Sequence, residues 1–330
     1  MALSDLVVFQ EYARLSYTEV LAQQVELFNG ASENTLSLAV EAHAGDFADK
    51  VSFALLTNLV KRRNPYGTGA QTVKPFINRV DTMVKVAGGM VPVDFQPSQF
   101  NWIQQNAAVA GAALGQQLAK QMLADMLHVA TMSLVGAISN RGATVTYDNG
   151  GTFAAQKKLA FLDLNAGQGK FGDAMSDIRA WLIHSTPMVS LFANALTNNE
   201  KLFLYGSVNV SRDPFGRVFI MTDEPALKIS AGNGTSTPDV YGTLGLTAGA
   251  CEILQQDDFT DNFDTRNGDE NIARTYQAEW SYMVGLKGYT WDKTNGGKAP
   301  TNAALATGTN WDISSSQDKT TAGVLIKSNG

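Results

Sequence analysis

The sequence has a single cysteine, Cys251, and three histidines, His43, His128 and His184, among 330 residues. One thiol excludes an intramolecular disulfide and any multi-cysteine metal site. The histidines lie too far apart in sequence to form a His-rich metal motif. Positive charge is also scarce. The chain carries 25 Lys and Arg against 31 Asp and Glu, a net charge of -6, with a pI near 5.1. A dedicated nucleic-acid binder carries a basic excess, so a tight grip on DNA is not expected. No run approaches the 18 apolar residues of a membrane span. Met1 to Phe9 lacks the basic-then-apolar pattern of a signal peptide. A soluble protein made in a cytoplasm is expected. Hydrophobic residues make up 44% and charged residues 17% of the chain, which excludes intrinsic disorder and allows a large core.

Residues 1–45 are helix-leaning and loosely amphipathic, with Leu6, Phe9, Tyr12, Leu15, Leu21, Val25 and Phe28 before a break at Asn29-Gly30. Such a segment has little core of its own and needs another surface to lie on. Residues 46–95 read as a long two-stranded excursion. Two β-leaning arms, Phe47 to Leu56 and Val80 to Val86, flank a middle containing Lys61-Arg62-Arg63-Asn64-Pro65 and Tyr66-Gly67-Thr68-Gly69. An ordinary surface hairpin is the plain alternative to a functional arm. No proline occurs between Pro97 and Pro187. From 98 to 139 apolar residues fall at helical spacing, with Ser98 as expected cap and Asn140 and Gly142 as stop signals. A continuous helix of that length spans about 63 Å at 1.5 Å per residue. A compact chain of this size has a radius of gyration of only about 20 Å, so an elongated molecule is implied. Gly111, Gly115 and Gly136 could instead divide it. Further on, strands are expected at 143–147, 158–164 and 217–221, a short helix at 173–184, and a new helix after Ser185-Thr186-Pro187. Long strand material follows at 273–291, then an irregular polar tail from Asp292.

Few motifs carry chemistry. Gly167-Gln168-Gly169-Lys170-Phe171-Gly172 matches G-x-G-x-x-G, but no acidic residue follows about 20 positions on and no βαβ alternation surrounds it. A flexible glycine loop is the expected reading. His184-Ser185 lacks the spacing of a triad and has no G-x-S-x-G elbow. His184 is expected to end one helix and Ser185 to help cap the next. His128 reads as a satisfied core or interface histidine. Asp257, Asp258, Asp261, Asp264, Asp269 and Glu270 form an acidic segment that fails the calcium-loop pattern. No cofactor, metal ligand or catalytic residue is assigned. The candidate functional residues are subunit contacts: Lys61, Arg62, Arg63 and Tyr66 in the excursion, and Asp257, Asp258, Asp261 and Asp264, whose charges could meet on neighbouring copies. The arm, the excursion and the over-long helix share one difficulty, that of burying their apolar surfaces within one compact subunit. Self-assembly, not enzymatic activity, is expected.

The order of these segments resembles the major capsid proteins of tailed bacteriophages, with the Hong Kong ninety-seven type of coat fold. Ala180 to Ser185 with the following helix looks like the apolar-His-Ser stretch of one branch of these proteins. Gly216 to Glu224 is similar to the strand that follows it there. Tyr276 to Trp291 resembles the returning strand ending in an aromatic, and Ala299-Pro300-Thr301-Asn302, Leu305 and Asn310-Trp311 resemble the C-terminal segment. The resemblance implies an α+β fold. It has an N-terminal arm at 1–45, an E-loop at 46–95 and a peripheral domain at 96–172 carrying a spine helix at 98–139. An axial domain follows at 173–255, and returning strands with the C-terminal segment at 256–330. It implies self-assembly through hexamers and pentamers into an icosahedral head shell around double-stranded DNA, in a virion assembled in a bacterial cytoplasm. A separate scaffolding protein, a portal and weak non-specific contact with packaged DNA are the implied partners, with no membrane; whether a decoration protein joins them is left open. An encapsulin-like compartment and a nucleotide-dependent enzyme using residues 167–172 are the rival readings. Cross-linking between subunits is not expected.

Overall fold

The computed structural model describes residues 3–53, 59–71, 73–95, 106–149, 157–192, 200–205, 208–212, 218–233, 236–267 and 272–330. Helix α1 spans Leu3–Ala31. Its sequence has no glycine or proline before Gly30, so nothing interrupts the backbone ladder. Phe9, Ala13, Tyr17, Leu21 and Phe28 are buried on one face, a spacing that follows the helical repeat. After α1 the chain reverses through Glu33 and Asn34, both at positive φ. The Asn29 amide pins this turn, donating to the Leu38 carbonyl at 2.6 Å and accepting from the Leu38 amide at 3.0 Å.

Helix α2 spans Ala107–Arg141 and ends at Gly142, where φ is 78°. Its 35 residues reach about 52 Å. Residues 98–105, including the expected cap Ser98, lie outside the described residues, and Asn106 precedes the helix. Gly111 and Gly115 do not divide it. They are where α1 crosses: a Cβ on Gly115 would stand 2.3 Å from the Ala13 carbonyl oxygen, and one on Gly111 would stand 2.5 Å from that of Phe9. The Ser16 hydroxyl donates to the Ala112 carbonyl at 3.1 Å across the same crossing. Gly136 admits the C-terminal segment in the same way, with the Ala306 carbonyl oxygen 2.4 Å from its Cβ position. These contacts correct the expectation that the N-terminal segment and the long helix need neighbouring copies for burial. Each covers the other. One window of α2, of mean hydropathy 1.4, is long and apolar enough to match a membrane span, which corrects the expectation of none, but 72% of it is buried inside the fold. It is a core helix.

In chain order the strands are β1 (Leu36–Val40), β2 (Phe47–Phe53), β3 (Asn78–Gly89), β4 (Val93–Asp94), β5 (Thr146–Asp148), β6 (Ile178–Ile183), β7 (Glu200–Tyr205), β8 (Val208–Arg212) and β9 (Val218–Met221). There follow β10 (Lys228–Ser230), β11 (Val240–Thr247), β12 (Cys251–Gln255), β13 (Thr260–Arg266), β14 (Ala273–Leu286), β15 (Tyr289–Trp291), β16 (Trp311–Ile313) and β17 (Gly323–Asn329). One sheet runs β1-β12-β14-β3-β2, with β13 and β4 also paired to β14. A second runs β5-β17-β11-β6-β9-β8-β7, with β10 paired to β11, and β15 pairs with β16. Three short α-helices complete the described residues: α3 (Phe161–Gln168), α4 (Ser185–Phe192) and α5 (Asn302–Ala306). The main core lies between α2 and both sheets and includes Trp181, Trp291 and Trp311. Trp291 and Trp311 meet edge-to-face at 4.8 Å.

Three expectations are overturned. The segment expected as a helix at 173–184 holds β6. Ile178, Trp181 and Leu182 have helical spacing, but Ala180 to Ile183 is buried on every side between β11 and β9. A strand buried on both faces has no alternation to reveal it. The strand expected at 158–164 is instead helix α3, with only a bridge from Lys158 to Asn329. Its first turn is closed by Asp163, whose carboxylate accepts from the Ala160 amide at 2.8 Å. The tail is not irregular: β17 sits inside the second sheet, with Val324, Leu325 and Ile326 fully buried.

Candidate functional site

Strands β2 and β3 form an antiparallel hairpin, in register from Phe47 opposite Val84 to Phe53 opposite Asn78. Pairing of β3 with β14 reaches only Val84. Beyond it the hairpin leaves the sheet and continues into the exposed residues 59–71. The base is anchored by long-range contacts. Lys293 binds the Asp49 carboxylate at 3.0 Å, Lys298 binds Asp46 at 3.0 Å, and the Thr290 hydroxyl accepts from the Thr82 amide at 2.9 Å. The Asp49 carboxyl is held below the usual range, first by the Thr82 hydroxyl and then by Lys293.

At the tip, Lys61 donates to the Gln71 side chain at 2.6 Å, and the Asn64 side chain accepts from the Tyr66 amide at 3.0 Å. Arg62, Arg63 and Tyr66 are exposed, Tyr66 to 91%. Asp264 lies on β13 at the other end of the same sheet, whereas Asp257 and Asp258 precede β13 and lie beside Ser281 and Lys85, near the foot of the hairpin. They are not one free patch. Asp258 accepts from the Ser281 amide at 2.9 Å and from its hydroxyl, and pairs with Lys85 at 3.3 Å. Burial raises the Asp258 carboxyl, but Ser281 and Lys85 outweigh it and hold it below the usual carboxylate range. Asp261 accepts the Tyr276 hydroxyl at 3.0 Å. Asp257 and Asp264 remain exposed. Asp264 lies opposite Thr275 on β14, whereas the hairpin runs out from Val84, which is opposite Val284. From Asp264 to Asn78 is therefore roughly 50 Å of strand at 3.3 Å per residue. The basic tip and the acidic end of one chain are separated by the length of the sheet.

The glycine-rich segment has none of the geometry of a phosphate loop. It begins inside the last turn of helix α3, not after a strand, and runs into a 3-10 stretch, Gly169–Asp177. Gly167 is packed under the core: a Cβ there would lie 2.6 Å from Ile326 Cδ1. Phe171 is fully buried, while Gly169 has open space. Gly167→Ala is expected to destabilise the subunit by about 1–3 kcal/mol through overpacking, and Gly169→Ala to leave its thermal midpoint within a degree or two. Equal effects in thermal denaturation would refute this account of the segment. Among the described residues, no group of three or more His, Cys, Asp or Glu side chains is placed to hold a metal ion.

His128, on α2, pairs with Glu224 at 2.5 Å and links the long helix to the loop after β9. That hydrogen bond raises its pKa despite partial burial, with further support from the Glu224 and Asp125 charges. His184 ends a strand, not a helix. Its Nδ1, in place of Ser185, accepts from the Thr186 amide at 3.2 Å at the start of α4. Burial lowers its pKa, partly opposed by Asp223. The two act in opposite directions. The His128 contribution to stability is full below about pH 6.5, the ordinary histidine value, and is lost as pH rises through the raised folded value. The His184 contribution is present above that value and is lost as pH falls through the lowered one. His128→Gln should therefore flatten the alkaline side of a thermal-midpoint profile against pH, and His184→Asn the acidic side. Unchanged profiles would show that neither pair is linked to folding.

The family described as major capsid protein 13-like matches residues 5–325. No curated protein matches the chain. Among solved structures, the fold is similar to a subunit of the cyanophage Pam1 capsid, with 12% identity, 87% of this chain and 86% of that chain covered, and a TM-score of 0.51. It is similar also to the capsid of Ralstonia phage GP4, with 10% identity, coverage of 90% and 87%, and a TM-score of 0.51. The head of Helicobacter pylori bacteriophage KHP40 gives 10% identity, coverage of 91% and 88%, and the same TM-score. At such identities these likenesses establish the Hong Kong ninety-seven type of fold, while the family match covers nearly the whole chain. The chain belongs to the major capsid protein 13-like family and is a capsid shell protein.

Proposed function

We propose that copies of this chain meet head to tail, the hairpin tip of one reaching the acidic end of the next, in hexamers and pentamers of an icosahedral phage head around double-stranded DNA. One observation carries the reading: a hairpin that leaves its sheet and ends in exposed Lys61, Arg62, Arg63 and Tyr66, with exposed Asp264 at the opposite end. Complementary ends that cannot meet within a chain favour heterologous contacts, which generate closed rings when the rotation closes. In this reading residues 1–45 are the N-terminal arm, 46–95 the E-loop, 96–172 the peripheral domain, 173–255 the axial domain, and 256–330 the returning strands and C-terminal segment. The role is structural, not enzymatic. A separate scaffolding protein and a portal are its further partners. The net charge of -6 suits a wall that does not hold packaged DNA tightly.

The test is electron microscopy and sedimentation of the protein produced with and without its neighbouring genes. Shells, or hexamer and pentamer rings, are expected. A homogeneous monomer or dimer in both cases would overturn the assembly reading. The charge pairing has its own check. Replacing Lys61, Arg62 and Arg63 by Glu should lower shell yield about tenfold, and replacing Asp257 and Asp264 by Lys in the same chain should restore it. Complementary charge steers encounter and fixes register more than it adds affinity, so the defect should be largest at low salt. Absence of rescue would separate the two clusters.

A further inference from the structure

The two faces of the hairpin differ in chemistry. On one, Lys50 lies opposite Asp81. Arg79 donates to both Asp81 carboxylate oxygens at 2.6–3.1 Å, and Lys50 pairs with Glu252. The other face is marked by Phe47 with Val84, Asp49 with Thr82, Val51 with Val80, and Phe53 at the last rung. Its inner part is covered by the chain itself. Lys293 lies 5.4 Å from the centre of the Phe47 ring and binds Asp49, and Thr82 meets Thr290. That cover stops at the Asp49–Thr82 rung. The next rungs outward are apolar and bare: Val51 is 66% exposed, Phe53 68% and Val80 46%. Phe76, 62% exposed, stacks on Phe53 at 4.7 Å and extends the strip.

A strand pair with alternating apolar and charged faces is patterned to bury one of them. The geometry points to the Val51–Phe53–Phe76–Val80 strip as the docking face of the hairpin, and to a second copy of this chain as its occupant. The inference rests on the reading of the hairpin as a contact between copies and adds which side of it is buried. Two observations commit it to a second copy. The strip continues, without a gap, a face that residues 290–298 of the same chain already cover nearer the sheet, so the surface that completes it joins the subunit's own fold. The hairpin also projects toward its basic tip, and the exposed Asp264 carboxylate that complements that tip lies at the far end of the same sheet, within reach only on another copy. The charged face is satisfied by its own pairs and stays in solvent.

The test is the variant Val51→Thr/Phe53→Thr/Val80→Thr, which keeps β-branched residues on the strands and removes the apolar surface. Far-UV circular dichroism and the thermal midpoint of the unassembled subunit are expected to match the parent, because these side chains touch little within the chain. Shell yield by sedimentation is expected to fall at least tenfold. Lys50→Thr, on the opposite face, should assemble like the parent. A photo-crosslinking residue at position 51 should trap a covalent dimer of the chain. Normal assembly of the triple variant, an equal defect in Lys50→Thr, or a crosslink to a different protein would each overturn the assignment. Deletion of residues 60–72 separates the two levels. If the deletion abolishes assembly and the triple variant does not, the face is wrong but the contact stands. If the deletion assembles normally, the contact itself fails.

Discussion

Deleting residues 60–72 is expected to leave a folded subunit that no longer forms stable shells. Folding survives because the described part of the tip makes only local contacts, Lys61 to Gln71 and Asn64 to Tyr66. The deletion starts beyond Phe53 and ends before Phe76, so the register from Phe47 to Phe53 and the anchors at Asp46, Asp49 and Thr82 stay in place. Assembly is expected to fail because the tip carries three exposed cations and an exposed tyrosine that, among the described residues, no other element covers. Tyrosine and arginine, apolar or planar bodies with polar ends, are the residues that most often anchor interfaces. Sedimentation of the deletion variant beside the parent, with circular dichroism of the unassembled fraction, gives the result. Shells of unchanged yield and stability would remove the hairpin from the interface. An unfolded subunit would mean that the tip belongs to the fold itself.

Gly115→Val is expected to cost the subunit about 3 kcal/mol or more, at the upper end of overpacking effects. The reason is the nature of the obstacle. A Cβ at 115 meets the Ala13 carbonyl oxygen at 2.3 Å and the Tyr17 amide nitrogen at 3.0 Å. Both are backbone atoms of a helix and cannot swing aside as a side-chain end does. Helix α1 must move as a body, loosening the burial of Phe9, Ala13, Tyr17 and Leu21 together. Gly30→Ala is the counterpart: a Cβ there meets nothing within 4 Å, and alanine is the better helix former, so this change should be neutral or slightly stabilising. Chemical denaturation of unassembled subunits compares the two. A Gly115→Val subunit as stable as the parent would show that α1 does not hold its place on α2 in solution. A loose α1 would also alter assembly, since it carries the N-terminal segment across the long helix.

Much of the architecture was legible where neighbours in sequence decide the outcome. The repeat from Leu114 through Leu118, Met122 and Met126 marks α2, and Gly142 marks its end, because helical spacing and a positive-φ stop are local properties. The pairing of β2 with β3 was legible from two β-leaning arms on either side of Pro65 and Gly67. The even spacing of Tyr276, Trp280, Tyr282, Val284 and Leu286 marked β14. The apolar side of the hairpin was present in the alternation of Val51, Phe53 and Val80, but its meaning depends on where residues 290–298 stop covering it, and that is a matter of tertiary packing.

The sequence by itself determined the absence of a cysteine framework, the acidic balance, the long helix and the projecting hairpin, and the order of segments carries the family resemblance. Only the tertiary structure decided the rest. Ile178 to Ile183 satisfies helical spacing yet is a strand, because burial between β11 and β9 removes the alternation that would mark it. Val324 to Ile326, in a tail that reads as irregular, closes the second sheet because β11 offers it a free edge some 80 residues earlier in the chain. Asp258 and Asp261 look like their neighbours Asp257 and Asp264, but Ser281, Lys85 and Tyr276 engage the first two and leave the others to solvent. Gly111 and Gly115 read as weak points in a helix and are where a second helix comes closest. In each case the deciding partner is distant in sequence, and local spacing carries no record of it.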